Sequence, residues 1–126
     1  MIGNDGIETY MDRLGLSYET IEDGLWVVND GDGQLVVHHD APLVVFRAKL
    51  LEAPAQSNEA LFRRLLELNA TEMITAAYGI EGEAVVVVAS LQSENLDFNE
   101  FEGAIDALSL AMTEHRDEIA ALAGKE

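Results

Sequence analysis

Apolar residues recur at helical spacing in three stretches of the chain and gather into short β-branched runs in five others. Ile7, Tyr10, Met11 and Leu14 keep the i, i+3, i+4, i+7 spacing of one helical face, which predicts a helix over about Asp5 to Leu14. Asp5 and Glu8 are spaced for a capping box, and Gly15 stands where a left-handed C-terminal cap is needed. Three strand-like runs follow: LWVV (25–28), QLVVHH (34–39) and LVVFRAKLL (43–51), separated by short turn signals that predict an antiparallel meander. In the third run Val44, Phe46, Ala48 and Leu50 share the expected core face, opposite Leu43, Val45, Arg47 and Lys49. Pro54 removes a ladder donor and helps end that strand.

A second helix is expected from about Asn58 to Asn69, with Ser57 or Asn58 as its N-cap. Leu61, Leu65 and Leu68 form its apolar stripe. Phe62 and Leu66 widen that stripe to roughly 160° of the circumference, beyond the roughly 100° a surface helix needs against its own sheet. Two explanations fit: deep burial in its own core, or packing on both its own sheet and a second subunit. Two further strands, about 73–80 and 84–91, meet at a Glu81-Gly82 turn. The second of these, AVVVVASL, is apolar on both faces, whereas an antiparallel strand with one wet face should alternate. Helices or another chain must therefore cover both sides of it.

The last element starts at a second capping-box pattern, Asp97 with Glu100, flanked by Leu96 and Phe101 as a hydrophobic staple. From there Phe101, Ile105, Leu108, Met112, His115, Ile119 and Leu122 step by four and three, predicting one long helix whose stripe lies along the sheet. The expected order is α-βββ-α-ββ-α over a single domain, 1–126: an α+β fold with helices packed against an antiparallel sheet.

Charge narrows the function classes. The chain has 24 acidic and 7 basic residues, a formal charge of -17, and no Lys or Arg between Arg64 and Arg116. Such a surface repels phosphate, which disfavours nucleic acid and anionic membranes as partners and leaves solubility, or a preference for basic protein segments, as its use. There is no cysteine, hence no disulfide and no thiolate metal site. No apolar run approaches the roughly 20 residues of a membrane span, so no membrane insertion is expected. The opening MIGNDGIETY lacks the basic and apolar regions of a signal peptide.

Candidate chemistry is confined to NDGDGQLVVHHD, from Asn29 to Asp40. A calcium loop starting at Asp30 would need Gly and Glu where Leu35 and Ala41 stand. The segment reads better as a hairpin turn running into a strand. On that strand His38 and His39 point to opposite faces and cannot readily chelate one ion. His115 lies in the stripe of the last helix and reads as a packing residue. No serine sits in a Gly-x-Ser-x-Gly elbow, and there is no phosphate-binding glycine motif. Catalysis, a cofactor and a resident metal are therefore not expected; a metal-dependent enzyme on His38, His39 and Asp40 is the remaining catalytic alternative.

FRAKLLEAP, EALFRRLLELN, TAAYGIEGEAVVVVASL and LDFNEFEGAIDALSLAM, in that order, make the chain from about Ile7 to Leu122 resemble the type III secretion chaperone family. The resemblance takes in its Tir-chaperone (CesT-like) branch and the YbjN-like proteins. The helix LFRRLLELN followed by a hairpin with Gly79 and Gly82 at its turn is the most telling part, and EDGLWVV with FRA leans to the YbjN-like branch. The resemblance implies a small acidic cytoplasmic protein without catalysis, usually a homodimer, whose relatives hold an extended client segment on the first helix and the sheet. In such dimers the middle helix and its neighbouring strands form the interface, which makes Phe62, Leu65 and Leu66 the interface candidates. A regulatory or scaffold protein without a secretion client is the alternative.

Overall fold

The chain begins with α1 (Asn4–Arg13) and continues through four strands, β1 (Ser17–Glu22), β2 (Leu25–Asp30), β3 (Gly33–Asp40) and β4 (Leu43–Glu52). Then come α2 (Glu59–Thr71), β5 (Ala76–Glu81), β6 (Ala84–Gln92), α3 (Phe98–Glu114) and α4 (Arg116–Leu122). The structure is a computed structural model and describes residues 2–31 and 33–124. The strands form one six-stranded antiparallel sheet in the order β1-β2-β3-β4-β6-β5. The β5–β6 hairpin thus docks on β4, with β5 at the far edge.

The helices cover one face. Inward-pointing Trp26, Val28, Leu35, Val37, Val44, Phe46, Val85 and Val87 join Ile7 and Met11 of α1, Leu61, Leu65 and Leu68 of α2, and Phe101, Ile105 and Leu108 of α3 in one buried cluster. Strand alternation supplies one apolar layer and helical periodicity the other. Phe46 and Phe101 meet edge to face, with ring centroids 5.2 Å apart at 66°, the arrangement that aromatic quadrupoles favour. Trp26 is buried but donates its indole N–H to Glu8 Oε2 at 2.9 Å, so its polar atom is satisfied.

The α+β class, the antiparallel sheet and the flanking helices are as the pattern predicts, but four details differ. An additional strand, β1, precedes LWVV; its SYETIE sequence exposes all but Tyr18, because it pairs with β2 on one side only. The expected capping box of α1 does not form: Gly3 is the N-cap, no side chain caps it, and Glu8 is engaged by Trp26 instead. Asn58 is the N-cap of α2 without a side-chain cap bond; its amide donates to Pro54 O at 2.7 Å. The last helix breaks at His115 into α3 and α4.

Other expectations hold. Asp97 and Glu100 form a complete capping box at the start of α3. Gly15 and Gly82 take the positive φ, 69° and 62°, that their turns require. The turn in NDGDG is tighter than expected, since β2 continues through Asn29 to Asp30, which pairs with Gly33; Asp32 lies outside the described residues.

Candidate functional site

Among the described residues, no helix lies over the second face of the sheet. Its centre is a field of valines set by strand alternation and register. Val27 pairs with Val36 across β2 and β3, and Val45 of β4 pairs with His38 and Ser90. Val86 and Val88 of β6 pair with Lys49 and Arg47 of β4. Val27, Val36, Val45 and Val88 are half-buried and stand outside the cluster under the helices. On β6 this face carries the half-buried Val88 and Val86, which at 5% exposure is buried although it stands outside the cluster under the helices. A groove of about 690 Å³ runs along part of the face past Val27, Val36 and Val86, bordered by Arg47, Lys49 and Glu81 and, from α3 and α4, by Met112 and Arg116. Arg47 Nε lies 3.2 Å from Glu81 Oε2, and Lys49 pairs with Glu52. Both pairs are exposed, so they are readily exchanged for other partners. The groove thus offers apolar floor and exchangeable cations, in a chain whose charge is otherwise strongly negative.

A second apolar surface lies on the outer side of α2 and beyond its end. Phe62 is 37% exposed, Leu66 69% and Ile74 98%. Leu110 of α3 is 60% exposed and lines one small pocket with Ile74. Leu65, by contrast, is 5% exposed and packs into the core with Leu61 and Leu68. The wide apolar face of LFRRLLELN thus divides into an inner stripe that the sheet satisfies and an outer pair that it does not.

Two polar devices tie α2 and α3 to β5. Asn69 Nδ2 donates to Tyr78 O at 3.1 Å and Asn69 Oδ1 accepts from Tyr78 N–H at 2.8 Å. The side chain of α2 thereby occupies the backbone groups on the open edge of the sheet. The Tyr78 hydroxyl lies 3.2 Å from Ala111 O, as donor, and 2.7 Å from His115 Nδ1. His115 Nε2 lies 3.4 Å from Glu72 Oε1. Burial pushes the Tyr78 phenol up, and the negative fields of Glu114, Glu72 and Glu118 add to that.

The segment Asn29 to Asp40 does not converge on a site. His38 is exposed on the open face, while His39 faces the helices with its Nδ1 2.7 Å from Asn4 Oδ1. Asn4 in turn donates to Asp23 at 2.8 Å, and His39 Nε2 is buried without a hydrogen-bond partner. The two histidines face opposite sides of β3, as strand alternation requires. Sequence reasoning missed the grouping of His115 with Tyr78 and Glu72, because these residues lie on three separate elements.

A family model, CesT_Tir_1, matches residues 4–125. No curated protein sequence matches the chain significantly. Among solved structures, a chain of the heterodimeric ExoU–SpcU complex from the type III secretion system of Pseudomonas aeruginosa superposes with a TM-score of 0.68 at 17% identity, covering 93% of this chain and 97% of that one. E. coli YbjN gives 0.68 at 18% identity, covering 93% of each chain. A chain of the ExsC–ExsE complex gives 0.68 at 15%, covering 88% of each. At these identities the likeness is one of fold, and it extends to both branches that the sequence resembles. With the family match spanning all but the chain's ends, the protein belongs to the CesT_Tir_1 family, and its sheet and helices take the fold of type III secretion chaperones.

Proposed function

We propose that the protein is a non-catalytic, chaperone-like binding module that dimerises through the outer side of α2 and holds a segment of another protein on the open face of its sheet. The observation that carries this reading is the uncovered valine field of Val27, Val36, Val45 and Val88 beside Arg47 and Lys49. A contiguous apolar surface of this kind marks an interaction site more often than an idle surface. Support comes from the family and from its fold neighbours, of which SpcU with ExoU, SchA with HopA1 and ExsC with ExsE are chaperone–effector or protein–protein complexes.

Homodimerisation rests on Phe62 and Leu66, which are exposed beside a helix that is already satisfied on its inner side. Leu65 belongs to that inner side and contributes to an interface by holding the helix in place. The test of client binding is purification of the tagged protein from its native host, with Val36→Asp in parallel. A stoichiometric protein partner that is retained by the native chain, weakened by salt and lost with V36D is the expected result. Recovery of the bare chain, or a partner held equally by V36D, overturns the reading. A partner that remains folded when bound would assign the surface to a regulatory or scaffold role.

A further inference from the structure

A second site lies apart from the open sheet face, where the end of α2, the middle of β5 and the break between α3 and α4 come together. Glu72, Glu114 and His115 each offer one ligand atom there, and these atoms lie within 4.8 Å of one another. We propose that these three side chains bind a divalent transition-metal ion, with zinc as the ion that suits them.

The buried imidazole is the anchor. Tyr78 Oη sits 3.2 Å from Ala111 O and 2.7 Å from His115 Nδ1. A phenol has one proton, which it can give to the Ala111 carbonyl or to the imidazole. In the tautomer where the carbonyl takes it, His115 donates Nδ1–H to the phenol oxygen and turns its Nε2 lone pair toward the carboxylates. A cation held between Nε2 and the carboxylates selects that tautomer, and the other tautomer gives Nε2–H to Glu72 instead. A hydrogen bond from the second nitrogen of an imidazole, fixing tautomer and ring, is also the usual support of a metal-ligating histidine.

The spacing agrees. His115 Nε2 and Glu72 Oε1 are 3.4 Å apart, which is long for a hydrogen bond. Ligands about 2.1 Å from one tetrahedral ion stand roughly 3.4 Å from each other. Glu72 and Glu114 are exposed, so their carboxylates can swing to close the remaining gap without disturbing the core. The groups facing the site are Glu72, Glu114, Glu118 and Arg64. Arg64 is occupied chiefly by Glu118, at 2.6 Å, and reaches the other oxygen of Glu72 only at 3.9 Å. Mixed imidazole and carboxylate donors favour zinc over calcium or magnesium, which prefer oxygen alone. The chain's charge of -17 raises the local concentration of any cation. Three protein ligands leave one position for water or for a ligand from outside the chain.

Such an ion would pin the C-terminal end of α2 to the α3–α4 junction. The site is independent of the client reading and of the His38–His39–Asp40 alternative, whose residues lie on another strand. Chelator-stripped protein should take up one zinc per chain on dialysis against zinc chloride, measured by elemental analysis and titration calorimetry, and its melting temperature should rise. Calcium chloride should give no uptake. Glu72→Gln with Glu114→Gln, both at exposed positions, should abolish the stoichiometric zinc while leaving the circular dichroism spectrum intact. Tyr78→Phe should weaken zinc about 10-fold by releasing Nδ1. Absence of stoichiometric uptake, or uptake undiminished in the E72Q/E114Q variant, overturns the proposal.

Discussion

The carboxamide of Asn69 pairs with the backbone of Tyr78 as a neighbouring strand would, accepting from its N–H at 2.8 Å and donating to its carbonyl at 3.1 Å. One side chain thus fastens α2 to the sheet and occupies an otherwise open edge. Asn69→Ala removes both bonds from partly buried groups and should destabilise the protein by about 1–3 kcal/mol, read from urea unfolding. Glutamine, one methylene longer, should not restore the loss, because the bidentate geometry depends on the length of the side chain.

Tyr78 also sets an alkaline limit. Its folded-state pKa is raised by burial first and by Glu114, Glu72 and Glu118 next. A raised pKa means that the unfolded chain releases this proton first. The stabilisation is therefore complete below the ordinary tyrosine value, near 10, and is lost as pH rises from there towards the folded value. Unfolding free energy should decline above about pH 10, and Tyr78→Phe should flatten the part of that decline that belongs to this residue.

The Asp97–Glu100 capping box should carry measurable stability at an exposed site. Asp97 Oδ1 accepts from Glu100 N–H at 2.8 Å, and Glu100 Oε1 accepts from Asp97 N–H at 3.2 Å. Asp97→Ala should cost about 1 kcal/mol in chemical denaturation, with no effect on association.

Much of the fold is legible in the sequence, and the failures have physical causes. Periodicity locates α1, α2 and α3 because each buries a single stripe against one sheet face. The doubled apolar character of AVVVVASL signals that β6 has a second face in need of cover, and that face is the open one. β1 is not legible: as an edge strand it buries little, and its residues carry no alternating apolar signal. The break at His115 is hidden because this residue continues the three-four stepping of the stripe while its ring is engaged by Tyr78 and faces Glu72, both distant in sequence. The Asp5–Glu8 pattern misleads because Trp26, on another element, claims the Glu8 carboxylate. Local spacing cannot show a competitor that arrives through tertiary contact.

The two sides of α2 should separate in experiment. Phe62→Asp or Leu66→Asp, at exposed positions, should convert a dimer to a monomer in light scattering after size exclusion, with stability of the isolated chain little changed. Leu65→Ala empties a core position and should cost about 2–5 kcal/mol of folding stability. A Phe62→Asp protein that remains fully dimeric would remove this helix as the interface.

Hydrogen–deuterium exchange of the chain, alone and with the protein partner recovered from its host, bears most directly on the central proposal. Partner binding should slow exchange in β2, β3, β4 and β6, around Val27, Val36, Val45 and Val88, and Val36→Asp should abolish the protection. Protection confined to the helical side, with these four strands unchanged, would contradict the assignment of the open sheet face as the binding surface.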